Sequence, residues 1–168
     1  QGLLKQSLAQ VVADYDYIVI DCPPSLDLLT INALTASHSV LVPVQCEYLA
    51  LRGLVQLENT LAMVRENLNP RVGVEGIVAT MYDSRTLHSR EVVRSVVDHF
   101  GDQVFETVIS RTVKFPDATL AAEPITTYSS HFHGPVQGGE LHIVIVDAGR
   151  TALLASDDFR RSLNCIRC

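Results

Sequence analysis

The chain has 168 residues, 47% of them apolar, and a net charge of −6. That is enough apolar material for the core of one ordinary domain. Every apolar run is broken well short of the ~18–20 residues that a membrane span needs. The acidic sum argues against a uniformly nucleic-acid-binding surface, although local clusters of charge decide such binding. The start, Gln1-Gly2-Leu3-Leu4-Lys5, opens an amphipathic pattern and not the basic start of a secretory leader. Because it does not begin with Met, the chain is expected to be a piece of something longer.

Leu3, Leu4, Leu8, Val11 and Val12 fall on one face of an expected first helix. Tyr15 to Asp21 is a short apolar run that ends in an acid, expected as a strand. Cys22-Pro23-Pro24-Ser25 cannot continue that strand or sit inside a helix. Leu28 to Ala36 reads as a short helix, and His38 to Val44 as a second buried strand stopped near Pro43. Leu51, Leu54, Leu57, Leu61, Val64 and Leu68 mark a long amphipathic helix from Ala50, closed by Asn69-Pro70. Val72 to Met81 is a third strand containing Gly73 and Gly76. Ser89 reads as the N-cap of a helix that presents Val92, Val93, Val96, Val97 and Phe100, with Gly101 closing it. Val104 to Ile109 is a fourth strand, and Phe115 to Ala122 a short helix with Pro116 in its first turn.

Strands separated by helices of this length are βαβ units. The fold class is therefore α/β: a parallel sheet flanked by helices. Ligands bind such sheets outside the carboxyl ends of the strands, so the residues just after each strand carry the information. Composition changes near His131, where a linker-like stretch to Gly139 precedes a further strand candidate from Leu141 to Asp147. Two regions are expected: residues 1–130, and an atypical tail, 131–168, disordered or derived from a frameshift.

Cys22 and Cys46 sit at apolar strand ends and read as buried reduced thiols, which points to a cytosolic protein. Cys165-Ile166-Arg167-Cys168 is a lone CxxC that supplies two zinc ligands of the four needed. His38, His88 and His99 lie on unrelated elements and read as ordinary surface or core residues.

The strongest chemical signal is Ile18-Val19-Ile20-Asp21-Cys22-Pro23-Pro24. A carboxylate at the carboxyl end of a buried parallel strand is fixed by the sheet at the ligand crevice. In phosphoryl-transfer enzymes that position holds magnesium, often through its water shell. Two prolines stiffen the loop that follows, which suits a nucleotide-sensitive lid.

Tyr15 to Leu34, YDYIVIDCPPSLDLLTINAL, resembles the Walker B and switch II region of the ParA/Soj family of partition ATPases. Val42 to Leu57, Ala79 to Val93 and His99 to Lys114 continue the resemblance, in the family's order and spacing. It implies a P-loop NTPase-like fold, truncated at the amino-terminal side. It also implies ATP and Mg2+ as cofactors, a homodimer, nonspecific DNA of the nucleoid and a centromere-binding partition protein as partners, and a cytoplasmic location. Asp21 matches the aspartate that supports magnesium, and Pro23 and Pro24 match the switch II prolines. Thr80, Met81, Tyr82 and Asp83 match a segment by the nucleotide base; Ile109 and Arg111 fall in a second such segment, with Ser110 where the family usually has proline. Arg85 and Lys114 match surface cations used for sequence-independent DNA binding, and Arg52 stands where the family commonly has Glu.

The charge pattern is consistent with that assignment: Arg85, Arg90, Arg94, Arg111 and Lys114 gather in two loops and one helix of an acidic chain. No G-x-x-x-x-G-K-[ST] phosphate loop occurs in the sequence. Its backbone donors and lysine supply most of the electrostatic stabilisation in such enzymes, so the isolated chain is expected not to turn over ATP. Alternatives are a non-enzymatic DNA- or partner-binding module, a MinD-like membrane-cycling ATPase, or an amidotransferring synthetase of the same superfamily. The tail lacks the basic amphipathic helix that the MinD-like reading needs.

Overall fold

The computed structural model describes residues 2–15, 18–23, 25–128 and 143–146. Five strands form one parallel sheet in the order β1-β5-β2-β3-β4. They are β1 (Val19–Cys22), β2 (Ser39–Gln45), β3 (Gly73–Tyr82), β4 (Val104–Ser110) and β5 (Ile143–Val146). The helices are α1 (Leu3–Leu8), α2 (Leu28–Ala36), α3 (Ala50–Asn67), α4 (Leu87–Phe100), α5 (Lys114–Leu120) and α6 (Ile125–Tyr128). Among the described residues no helix is long and apolar enough to cross a membrane.

The core lies where β2 and β3 meet α2 and α3. Six consecutive β2 residues, Ser39 to Val44, are buried, as expected for a strand covered on both faces. Leu54, Leu57, Leu61 and Val64 follow the helical period on α3 and bury the same face. Asn69, just past α3, is buried and its amide donates to the carbonyls of Leu34 (3.0 Å) and Ser37 (2.8 Å). Those carbonyls belong to the end of α2, so one side chain satisfies two groups that would otherwise be costly to bury. Gly76 in β3 is buried, and the Phe105 ring of β4 stands where its Cβ would be.

Four expectations need correction. The first helix stops at Leu8, and Val11 and Val12 are more than a third exposed, because the chain turns at Ala9 and Gln10 before reaching them. The first strand runs past Asp21 to Cys22, whose side chain packs inward. The second strand continues through Pro43 to Gln45. Among the described residues β5 pairs with β2 from Ser39 to Leu41, and no described strand asks position 43 for an N–H on that side. The N-cap of α4 is Thr86, not Ser89: the Thr86 hydroxyl accepts the Ser89 N–H at 3.3 Å, which starts the helix three residues earlier. Gly101 closes α4 as expected, at φ +53°, a backbone angle that favours glycine.

Candidate functional site

The carboxyl ends of the strands carry the residues singled out above. Asp21 is exposed, one residue before the end of β1, and lies opposite Ile145 of β5. Pro23 follows it, exposed; Pro24, Cys165 and Cys168 lie outside the described residues. The rest of this loop is tied to α2. Asp27 caps that helix by accepting the Leu29 N–H at 3.0 Å, and also accepts the Ser25 hydroxyl at 2.8 Å. The Thr30 hydroxyl returns a bond to the Ser25 carbonyl at 2.6 Å. The Ser25 hydroxyl, with backbone donors, holds the Asp27 carboxyl below its ordinary range. Cys22 and Cys46 are buried free thiols, as expected. Burial pushes both up to about 11, and the charge of Asp21 adds to the effect at Cys22.

The two segments assigned to the nucleotide base lie side by side. β3 and β4 are neighbours with Tyr82 opposite Ser110, and the Arg111 N–H donates to the Tyr82 carbonyl at 2.9 Å. Thr80 is 1% exposed and its hydroxyl has no partner among the described residues, while its carbonyl accepts the Cys46 N–H at 3.1 Å. Met81 has φ +52°, an angle an L side chain adopts at some cost, and such outliers gather at ligand sites. Ile109 is half-buried and Arg111 exposed at the same edge.

Asp83 is the hub of the loop that follows. Its Oδ1 accepts both the Arg85 backbone N–H at 3.0 Å and the Arg85 Nε at 2.9 Å, and its Oδ2 accepts Nη2 at 2.8 Å. The Arg85 guanidinium is the main reason the Asp83 carboxyl falls to about 2; Arg111 contributes more weakly. Arg85 is exposed, as are Arg90 and Arg94 on α4, where Arg94 reaches Asp98 at 3.9 Å. Lys114 opens α5, and its backbone N–H donates to the Thr112 hydroxyl at 3.3 Å. Arg52 is exposed on α3, and His99 stacks edge-on against Phe100 at 4.7 Å. Sequence reasoning named Asp83 and Arg85 for separate tasks and missed their pairing; the Asp-x-Arg spacing across a turn was the available signal. The orphaned Thr80 hydroxyl had no signal in the sequence.

The donor set fits one kind of cation. Among the described residues no three His, Cys, Asp or Glu side chains gather to hold a metal. A single exposed carboxylate such as Asp21 suits magnesium that keeps most of its water.

A parallel α/β sheet with helices on its faces binds ligands at its carboxyl edge, and its likeness to the solved structures below makes the fold P-loop NTPase-like. Residues 1–74 match the AAA domain family. The Soj sporulation initiation inhibitor of Bacillus subtilis is 50% identical over 131 residues, covering 78% of this chain and 52% of that protein. A crystal structure of cobyrinic acid a,c-diamide synthase from Mycobacterium smegmatis, with ATP analogue and magnesium bound, is 48% identical with a TM-score of 0.60. It covers 65% of this chain and 43% of that one. A plasmid partition protein of Borrelia burgdorferi is 26% identical with a TM-score of 0.56, over 76% of this chain and 48% of that one. The chain is related to the ParA/Soj family of partition ATPases. It spans about half the length of the curated relatives it matches.

Proposed function

We propose that this chain is the carboxyl-terminal portion of a ParA/Soj-type ATPase acting in chromosome or plasmid partition. Residues 1–130 form the ATPase portion, and residues 131–168 an atypical tail, of which Ile143–Val146 adds a strand to the sheet between β1 and β2. The observation that carries the reading is the join of β3 to β4 through Arg111 and Tyr82, which sets both base-side segments at one edge of the sheet. Thr80, Met81, Tyr82, Asp83, Ile109 and Arg111 line the base, and Asp21 supports magnesium through water. Pro23 and Pro24 stiffen the switch loop. When bound, the ion neutralises charge that develops on the phosphate oxygens. Arg85 and Lys114 contact DNA phosphates without reading bases. The intact protein dimerises with ATP, coats nucleoid DNA in the cytoplasm and answers to a centromere-binding partner. A second reading, an ATP-dependent amidotransferring synthetase, is favoured by the likeness to the cobyrinic acid enzyme; it has no use for Arg85 and Lys114 as DNA contacts.

The isolated chain has no phosphate loop and is expected to show no saturable binding of ATP and Mg2+ in calorimetry. Saturable binding would overturn that expectation. Mixed-sequence duplex DNA is expected to be retained weakly and in a salt-sensitive way, and Arg85→Ala is expected to reduce that retention. Retention by neither protein favours the synthetase reading.

A further inference from the structure

Arg85 carries the DNA-binding reading, and its guanidinium already has a partner. Nε and Nη2 donate to the two oxygens of Asp83 at 2.9 and 2.8 Å, so one whole edge of the planar fork is filled. A carboxylate offers the same paired oxygens and the same sign of charge as a backbone phosphate. The acid is the fixed member, 22% exposed in the turn, and the base is the reaching member, 86% exposed. The Arg85 backbone N–H bonds the same carboxylate, so the clamp closes within three residues. Closed, the pair is neutral as a unit and adds little to the positive potential around Arg111 and Lys114.

We propose that Asp83 is a brake on nucleic-acid binding. Its carboxylate competes with backbone phosphate for the Arg85 fork, and the grip on duplex DNA is set by how far that clamp is open. The inference rests on Arg85 being a phosphate contact.

Asp83→Asn is the informative variant, because the amide oxygen still accepts the Arg85 backbone N–H while the charge is gone. Binding of a fluorescent mixed-sequence duplex by the 168-residue chain is followed by anisotropy over a range of salt concentrations. Asp83→Asn is expected to bind roughly twofold to fivefold more tightly at low salt. Its plot of log K against log salt is expected to steepen by up to ~0.9, the value of one full phosphate contact, according to how far the parent's clamp is closed. Combining Asp83→Asn with Arg85→Ala is expected to return affinity to the Arg85→Ala level. Misfolding cannot produce such a gain. Unchanged or weaker binding by Asp83→Asn, with Arg85→Ala still weakening the parent, overturns the brake and leaves the phosphate contact standing. Arg85→Ala without effect in either background overturns the underlying reading and the brake with it.

Discussion

The two halves of the sheet are held together differently. β2 and β3 pair from Ser39↔Gly73 to Gln45↔Thr80, with β2 buried from Ser39 to Val44 and β3 from Gly76 to Thr80. Among the described residues, β1 pairs with β5 over four residues, and β5 pairs with β2 from Ser39 to Leu41. The loop after β3 therefore stands on a buried strand, whereas the loop after β4 stands on an exposed edge strand joined to it. Asp21 stands on a strand that reaches the rest of the sheet through the last strand in sequence. The spacing between Asp21 and the Thr80–Asp83 segment is set through β5, not by direct pairing of β1 with β2.

The largest expected effect lies in the firm half. Leu61 is 1% exposed on α3, and Leu61→Ala is expected to cost about 2–5 kcal/mol in denaturant unfolding. A change under about 0.5 kcal/mol would deny that α3 seals the core. Val144→Pro removes a ladder N–H from β5 and is expected to cost about 1–3 kcal/mol. Hydrogen exchange is expected to speed up at Val19 to Cys22 and to stay slow in β3. The two buried thiols report the same contrast: labelling at pH 8, read by peptide mapping, is expected to accelerate at Cys22 and not at Cys46. Equal acceleration at both would mean that the halves open as one unit.

Asn69→Ala strands the Leu34 and Ser37 carbonyls and is expected to cost about 1–3 kcal/mol, since the same side chain ties α2 to the start of β3. The caps give the smallest contrast. Thr86→Ala in the β4 half is expected to cost about 1 kcal/mol at any pH from 3 to 8. Asp27→Ala in the β1 half behaves differently, because the folded carboxyl titrates below its ordinary value. Its stabilising contribution is present above about pH 4 and is lost as pH falls below that, so parent and variant converge in acid. Curves that stay parallel down to pH 2 would remove the charged cap from the account.

Local pattern made much of this legible. The period of Leu54, Leu57, Leu61 and Val64 found α3, and the apolar run before Pro43 found β2. The alternation of strands and helices found the parallel α/β class. The start of α4 was misread because Ser89 and Thr86 carry the same capping chemistry three residues apart, and only burial separates them: Ser89 turns inward. The extent of β2 was misread because a proline inside a strand is allowed or forbidden by what lies beside it, and strand order is not a local property. The strand at Ile143 was visible as an apolar run, but nothing in its residues placed it between β1 and β2. At the site, the strand-end positions of Asp21 and the Thr80–Asp83 segment were legible from the apolar runs before them. The orphaned hydroxyl at Thr80 and the clamp on Arg85 depend on where neighbouring atoms fall in space.

Gly76 and Phe105 form a unit that cannot drift freely. The Phe105 ring occupies the place of any side chain at position 76, so a methyl there forces the ring aside. Because that ring is 43% exposed, it can swing toward solvent, so enlarging position 76 trades the cover that Phe105 gives β3 for room at the glycine. The two positions are thus coupled through one contact between adjacent strands, and a change at either is felt at the other.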